Sequence, residues 1–343
     1  MTRAACAVLL AALVVAGVES SNRALEVFFI DVEGGQSTLV VTPAGESLLI
    51  DAGYGAREGR DPNRIMAAVR EARLSSIDYL LVTHFHNDHV GGVPELAERI
   101  PIGTFIDYGQ PLGTDRMSNN AFRTYEPVRR EREHIEPRPG DRLPLRGVRA
   151  SVVSAGGALL SKPLRGGGEA HTACAKAEDH PEDGTENYRS VGVMIEFGAF
   201  RFLDLGDLSG NTLTKIVCPQ NLLGTASVYL VAHHGDYDSN VPVLYASVRP
   251  RVAILNNGTR KGGSADTFRT LHALPGLEDL WQLHALTRET VTNAPDDFVA
   301  NVDEASDGNW LRMTAHKDGS FRIVNGRTGF AKGYGKQRQL PAD

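Results

Sequence analysis

Six residues, His84-Phe85-His86-Asn87-Asp88-His89, constrain this chain more than anything else in it. They follow an apolar run, Ile77-Asp78-Tyr79-Leu80-Leu81-Val82-Thr83, and precede Val90-Gly91-Gly92-Val93-Pro94. The run predicts a buried strand, and the glycine pair with proline predicts a loop entering a helix. Three imidazoles and a carboxylate therefore sit on a tight turn at a strand end. Burying such groups together without partners is costly, so core packing does not account for them. A solvated His-rich loop would not need so apolar an anchor. Convergence on a metal does account for them, because imidazole nitrogen and carboxylate oxygen suit zinc or a similar divalent ion.

His-x-His-x-Asp-His after a strand, followed by Gly-Gly, resembles the signature of the metallo-β-lactamase superfamily. Phe202-Leu203-Asp204-Leu205-Gly206-Asp207 is similar to that family's strand ending in Gly-Asp. Val228-Tyr229-Leu230-Val231-Ala232-His233-His234-Gly235 is similar to its final strand and His-Gly. Residues 28–37 and 47–53 resemble the entry strands, loosely at Glu33-Gly34-Gly35-Gln36. The opening and the His-His-Gly ending are most similar to the hydrolase domain of ComEC-type DNA-uptake proteins. The resemblance covers residues 26–260. It implies an α/β fold, the metallo-β-lactamase αββα four-layer sandwich. It also implies one metal on His84 and His86 and a second on Asp88 and His89. Asp207 would bridge the two and His234 would complete the second site, with His233 bracing the ligands from behind. The chemistry implied is hydrolysis by metal-activated water, with Asp88 and Asp207 as catalytic carboxylates. The cofactor implied is zinc, one or two ions, or manganese.

One departure matters. Many members carry another histidine between the first motif and Gly-Asp. The matching segment here, Glu186-Asn187-Tyr188-Arg189-Ser190-Val191, offers Asn187 or Ser190 instead. The first site is one ligand short. His171 and His180 lie nearby in a polar, glycine-rich segment, either as loop residues or as imidazoles that swing in.

At 343 residues the chain can bury a substantial core. Residues 1–20 have the layout of a secretory signal peptide: a basic start at Arg3, an apolar stretch from Ala4 to Val18, then polar residues. The stretch is short for a transmembrane span, which needs about 20 apolar residues. Residues 25–330 read as one domain, because the candidate ligands are spread along the chain and must meet. An insertion occupies residues 156–187, either a rim over the site or a surface excursion. Residues 331–343 read as a loose tail. In an exported chain Cys174 and Cys218 either pair or remain two thiols. Asp61-Pro62 predicts a helix with Asp61 as N-cap and Ile65, Met66, Val69 and Ala72 on its apolar face. Residues 110–147 are rich in Arg, Glu and Pro, with a helical signal near 119–133.

Substrate is less constrained. The resemblance points to a phosphodiester, with acyl hydrolysis of a lactone, ester or β-lactam as the alternative and a non-catalytic metal-binding protein as the third reading. A net charge of −6 does not suit strong duplex nucleic-acid binding. Arginines 123, 129, 130, 132, 138, 142 and 146 are interleaved with acids, which reads as solvated surface. The expected partner is a small-molecule or phosphodiester substrate, with no stable membrane insertion after signal cleavage. Asn256-Asn257-Gly258-Thr259-Arg260-Lys261-Gly262-Gly263 follows a predicted strand. It is either an anion-binding loop, with Asn256 and Lys261 touching substrate beside Asn187, or a solvated turn.

Overall fold

The computed structural model describes residues 24–336; the expected signal peptide lies outside them. Short apolar runs broken by turn residues assemble into two sheets. Leu25–Phe29, Thr38–Val41 and Ser47–Ile50 form an antiparallel meander, with Val27 opposite Val40 and Leu39 opposite Leu49. Ile77–Leu81, Ile102–Ile106 and Glu133–Ile135 extend it in parallel. Leu311–Ala315, Phe321–Asn325 and Ala331–Tyr334 extend the other edge, giving nine strands. The second sheet has eight strands. Its centre is Gly192–Phe197 and Phe200–Asp204, followed in parallel by Val228–Leu230, Val252–Leu255, Asp279–His284 and Val299–Asn301.

Alternation along the strands sorts their side chains into layers. Val27, Phe29, Val40, Leu48 and Ile50 of the first sheet meet Ile195, Phe200, Phe202, Val228 and Ile254 of the second in one buried core. The opposite face of the first sheet packs on Ile65, Ala68 and Val69 of the helix Arg60–Glu71 and on Phe122 and Tyr125 of the helix Arg116–Arg130. The opposite face of the second packs on Leu213, Leu244, Tyr245 and Phe268 from three further helices. Helices, two sheets and helices make the αββα four-layer sandwich. Parallel strands place their C-terminal ends along one edge, where α/β sheets offer binding crevices. Among the described residues no helix is long and apolar enough to cross a membrane.

Several local expectations need correction. Asp61 is not the N-cap: Gly59, at φ 72°, precedes the helix. The Asp61 carboxylate turns inward to accept from the Tyr54 N–H at 2.7 Å and from Arg60 Nε at 2.5 Å. The helix in the Arg-rich segment begins earlier than its signal, because Asp115 accepts from the N–H groups of Met117 and Ser118 and caps it. Arg129 is not solvated; it is buried with Nη1 2.9 Å from Asp107 Oδ1. The insertion is pinned down by a Cys174–Cys218 disulfide and by Ser209 Oγ donating to Asp183 Oδ2 at 2.8 Å.

The tail is not loose at its start. Ala331–Tyr334 is a strand, and Tyr334 is buried with its ring 4.5 Å from that of Phe321. Its hydroxyl accepts from Trp281 Nε1 at 2.9 Å and donates to Asp279 Oδ2 at 2.7 Å, joining the two sheets. Tyr334→Ala should therefore cost about 3–5 kcal/mol, as for a buried aromatic. Urea unfolding measures it; a loss under about 1 kcal/mol would mean that this strand is not part of the cooperative core.

Candidate metal centre

The strand Ile77–Leu81 delivers Thr83 and His84 to the edge of the sandwich, both fully buried. Phe85 pegs the loop: its ring lies 4.7 Å from Tyr108, 4.8 Å from Phe122 and 5.9 Å from Tyr125. The flanking imidazoles come together, with His84 Nε2 3.0 Å from His86 Nδ1. His86 then caps a one-turn helix, Asn87–Val90, that presents Asp88 and His89. Two glycines let the backbone close on this turn. A Cβ on Gly35 would strike the Asp88 carbonyl, to which the Gln36 N–H donates at 3.0 Å. A Cβ on Gly92 would strike the Ala52 carbonyl.

Asp207 follows the strand Phe200–Asp204, and His234 follows Val228–Leu230. Asp88, His89, Asp207 and His234 each offer one ligand atom, all within 4.8 Å of one another and all buried. Asp207 Oδ2 lies 3.2 Å from His89 Nε2 and 3.4 Å from His234 Nε2; Asp88 Oδ2 lies 3.4 and 3.3 Å from the same atoms. His84 Nε2 is 3.8 Å from Asp207 Oδ2. This donor set fits a divalent ion: two carboxylates and two imidazoles suit zinc, manganese or iron, and the buried Asp207 Oδ1 has no hydrogen-bond partner.

Burial pushes the Asp88 and Asp207 carboxyls up. Adjacent imidazoles outweigh it, His89 foremost for Asp88 and His234 for Asp207, and hold both well below the usual carboxylate range. His89 is driven the other way: burial lowers it, but Asp207, Asp88 and Asp51 raise it well above the usual imidazole range. Burial and the His89 charge hold His84 low. The site thus keeps two carboxylates ionised, and a cation that binds there displaces protons from the imidazoles.

Lys261 comes to the site, ion-paired with Asp88 and with its Nζ 3.5 Å from Tyr54 Oη. Asn187 comes close through His233, its Nδ2 being 3.3 Å from His233 Nε2. Asn256 does not. It is buried under the site and donates to Gln36 Oε1 at 3.3 Å, because the strand before it ends inside the sandwich. His171 and His180 are elsewhere. His171 caps the 3-10 turn Thr172–Lys176, and His180 lies against Gly210. Ser190 accepts from the Asp207 N–H at 3.2 Å and lies 3.5 Å from His84 Nδ1.

Sequence reasoning missed the carboxylates behind the imidazoles. Asp51 Oδ2 is 2.7 Å from His89 Nδ1, Asp115 Oδ2 is 3.0 Å from His86 Nε2, and Asp238 Oδ1 is 2.7 Å from His233 Nδ1. Only Asp51 had a signal, as the acid in Asp51-Ala52-Gly53 at the end of an entry strand.

Residues 30–152 match the model of the metallo-beta-lactamase superfamily. That match, the two-sheet sandwich and the placement of the motifs support the superfamily assignment, and the fold is the metallo-β-lactamase fold. Among curated proteins, an atrochrysone carboxyl ACP thioesterase of Emericella nidulans is 32% identical over 97 residues, 28% of this chain and 31% of that protein. The lactamase-like protein notP of an Aspergillus species is 40% identical over 67 residues, 20% of each chain. The matched segments thus span a third or less of these relatives. Among solved structures, the metallo-beta-lactamase fold protein YhfI of Bacillus subtilis aligns with a TM-score of 0.44 and 12% identity over 84% of this chain and 99% of that one. CmlA, a diiron beta-hydroxylase of Streptomyces venezuelae, aligns with a TM-score of 0.38 and 13% identity over 68% of this chain and 44% of that one. The curated relatives are fungal thioesterase-like and lactamase-like proteins, so the likeness to ComEC-type domains rests on the motifs alone.

Two outcomes follow from the geometry. His234→Ala should weaken the tightest ion by about 100-fold or more, since it removes one of four buried donors; chelator competition and elemental analysis measure this. Retention of that ion in His234→Ala and its loss in His233→Ala would exchange their roles. Asp204, beneath the site, accepts from Gln36 Nε2 and from the Gly206 N–H, and burial pushes its carboxyl up to about 7. The folded chain then binds more protons than the unfolded chain between about pH 4 and 7, so this group lowers stability as pH rises through that window. In the metal-free protein, Asp204→Asn should lose that slope and gain on the wild type by up to roughly 4 kcal/mol at pH 8. Urea titrations at pH 5 and 8 decide it; parallel pH dependences would mean that Asp204 ionises as an ordinary carboxylate.

Proposed function

We propose that this chain is a metal-dependent hydrolase acting on an acyl substrate, a thioester or ester that carries an anionic group. The observation that carries the hydrolase reading is the buried Asp88, His89, Asp207 and His234 cluster beside an open-edged lysine. A divalent ion held there supplies Lewis acidity and hydroxide near neutral pH. The chain's own residues do the rest. Asp88, kept ionised by His89, His234 and Lys261, is placed to orient a water by accepting a hydrogen bond from it. Asp51 and Thr83 fix the His89 ring, with Thr83 Oγ1 donating to Asp51 Oδ2 at 2.6 Å. Lys261 is partly exposed beside Tyr54, where it can bind a substrate carboxylate or phosphate.

The acyl preference is supported by the names of curated relatives, several of which are thioesterases. A phosphodiester is the second reading, favoured by the ComEC-like motifs and the Lys261 cation. Export is part of the proposal, supported by the apolar leader and the Cys174–Cys218 disulfide; sequencing the N-terminus of exported protein would test it. The zinc- and manganese-loaded protein offered an acyl thioester, a lactone, a cephalosporin and an aryl phosphodiester should turn over the thioester fastest. Turnover confined to the phosphodiester would move the assignment to the second reading. Lys261→Ala should raise KM for an anionic substrate about tenfold with kcat less affected. An unchanged KM would remove Lys261 from substrate binding.

A further inference from the structure

Three consecutive residues of the last motif have left-handed backbones: His233 at φ 48°, His234 at φ 54° and Gly235 at φ 76°. Glycine adopts this conformation freely, but two adjacent histidines do not. Such strain persists only where the surroundings over-determine it, and it clusters at functional sites. Its effect here is to send both imidazoles to the same carboxylate. His234 Nε2 lies 3.4 Å and His233 Nε2 3.8 Å from Asp207 Oδ2.

The two rings arrive in different company. His234 joins Asp88 and His89. His233 arrives beside Asn187, where the resemblance would place a histidine; the buried Asn187 Oδ1 has no hydrogen-bond partner. The same Asp207 oxygen lies 3.8 Å from His84 Nε2, which meets His86 Nδ1 at 3.0 Å. His233 Nδ1 is taken by Asp238 Oδ1 at 2.7 Å, so Nε2, 3.3 Å from Asn187 Nδ2, is the nitrogen that faces Asp207 at 3.8 Å. His86 and His89 are arranged in the same way, with Asp115 and Asp51 on one ring nitrogen. A carboxylate on the distant nitrogen is the usual means of orienting a metal-binding imidazole.

We propose that His233 is itself a metal ligand. With His84, His86 and Asp207 it completes the first site, supplying from the last motif the imidazole that is absent at Asn187. This departs from the expectation that His233 only braces its neighbour, and it rests on the metal-dependent reading above. His84 and His233 stand 3.8 Å from Asp207 Oδ2, against 3.2 and 3.4 Å for His89 and His234, so the ion of the first site is the weaker of two.

The test is titration of the metal-free full-length protein with cobalt(II) and zinc, read by elemental analysis and by cobalt visible absorption. Wild type should bind two ions, one tight and one weak. His233→Asn keeps a residue that tolerates the left-handed backbone but is too short to ligate. It should retain the tight ion, lose about 100-fold or more in affinity for the weak one, and lose that ion's absorption bands. A metal-free melting curve close to wild type would show that the fold is intact. Adding Asn187→His to His233→Asn should recover the weak ion. Two ions of wild-type affinity in His233→Asn, one ion only in wild type, or loss of both ions in His233→Asn would each overturn the proposal. Absence of any bound metal in wild type would overturn the metal-dependent reading itself.

Discussion

One carboxylate oxygen organises this molecule. Asp207 Oδ2 has the ring nitrogens of His84, His89, His233 and His234 around it at 3.2–3.8 Å. His84 and His89 come from the end of a strand in the first sheet, Asp207 and the other two from strand ends in the second. The anion is tolerable at such depth because imidazoles surround it, His89 among them held well above the usual imidazole range by the carboxylates. The imidazoles in turn stay close only because the anion is there. The seam between the sheets, and everything packed to hold it, serves this contact.

Behind the imidazoles stands a second set of acids, Asp51, Asp115 and Asp238, each fixing one ring. They differ in depth. Asp51 is fully buried, and its tie to His89 belongs to the core. Asp115 ends the loop that enters the helix Arg116–Arg130, and Asp238 lies within the 3-10 turn Tyr237–Ser239; both are nearer the surface. The acid that grips His89 is therefore held by the core, and those that grip His86 and His233 are carried by surface segments. Loops are where closely related sites diverge without disturbing the sandwich.

The parts legible in the sequence were those with dense local spacing. His84 to His89 and Gly206-Asp207 each pack their chemistry into a few residues after an apolar run, and both land at strand ends. Asp115 and Asp238 were invisible because each sits in an ordinary polar loop and its partner is distant in sequence or hidden by the fold. Asn256 misled because a polar residue at a strand end reads as exposed, whereas here the strand ends inside the sandwich and Asn256 meets Gln36. Ala331–Tyr334 misled because glycine and lysine dominate a short edge strand held by the single buried ring of Tyr334.

The Cys174–Cys218 bond has a topological consequence. It closes a span of 44 residues, and Asn187, Ser190, Asp204 and Asp207 all lie within it. Asp207 is thus carried on a covalent ring that includes two strands of the second sheet, while the His84–His89 turn lies outside it. Closing a ring of that size restricts the unfolded chain by about 4 kcal/mol. The ring restricts only the Asp207 segment; the His84–His89 turn and the His233-His234 pair both lie outside it and must be brought to that carboxylate by the fold. Reduction of the bond would release that segment as well, so the redox state of the surroundings governs how far the acid can stray from its imidazoles.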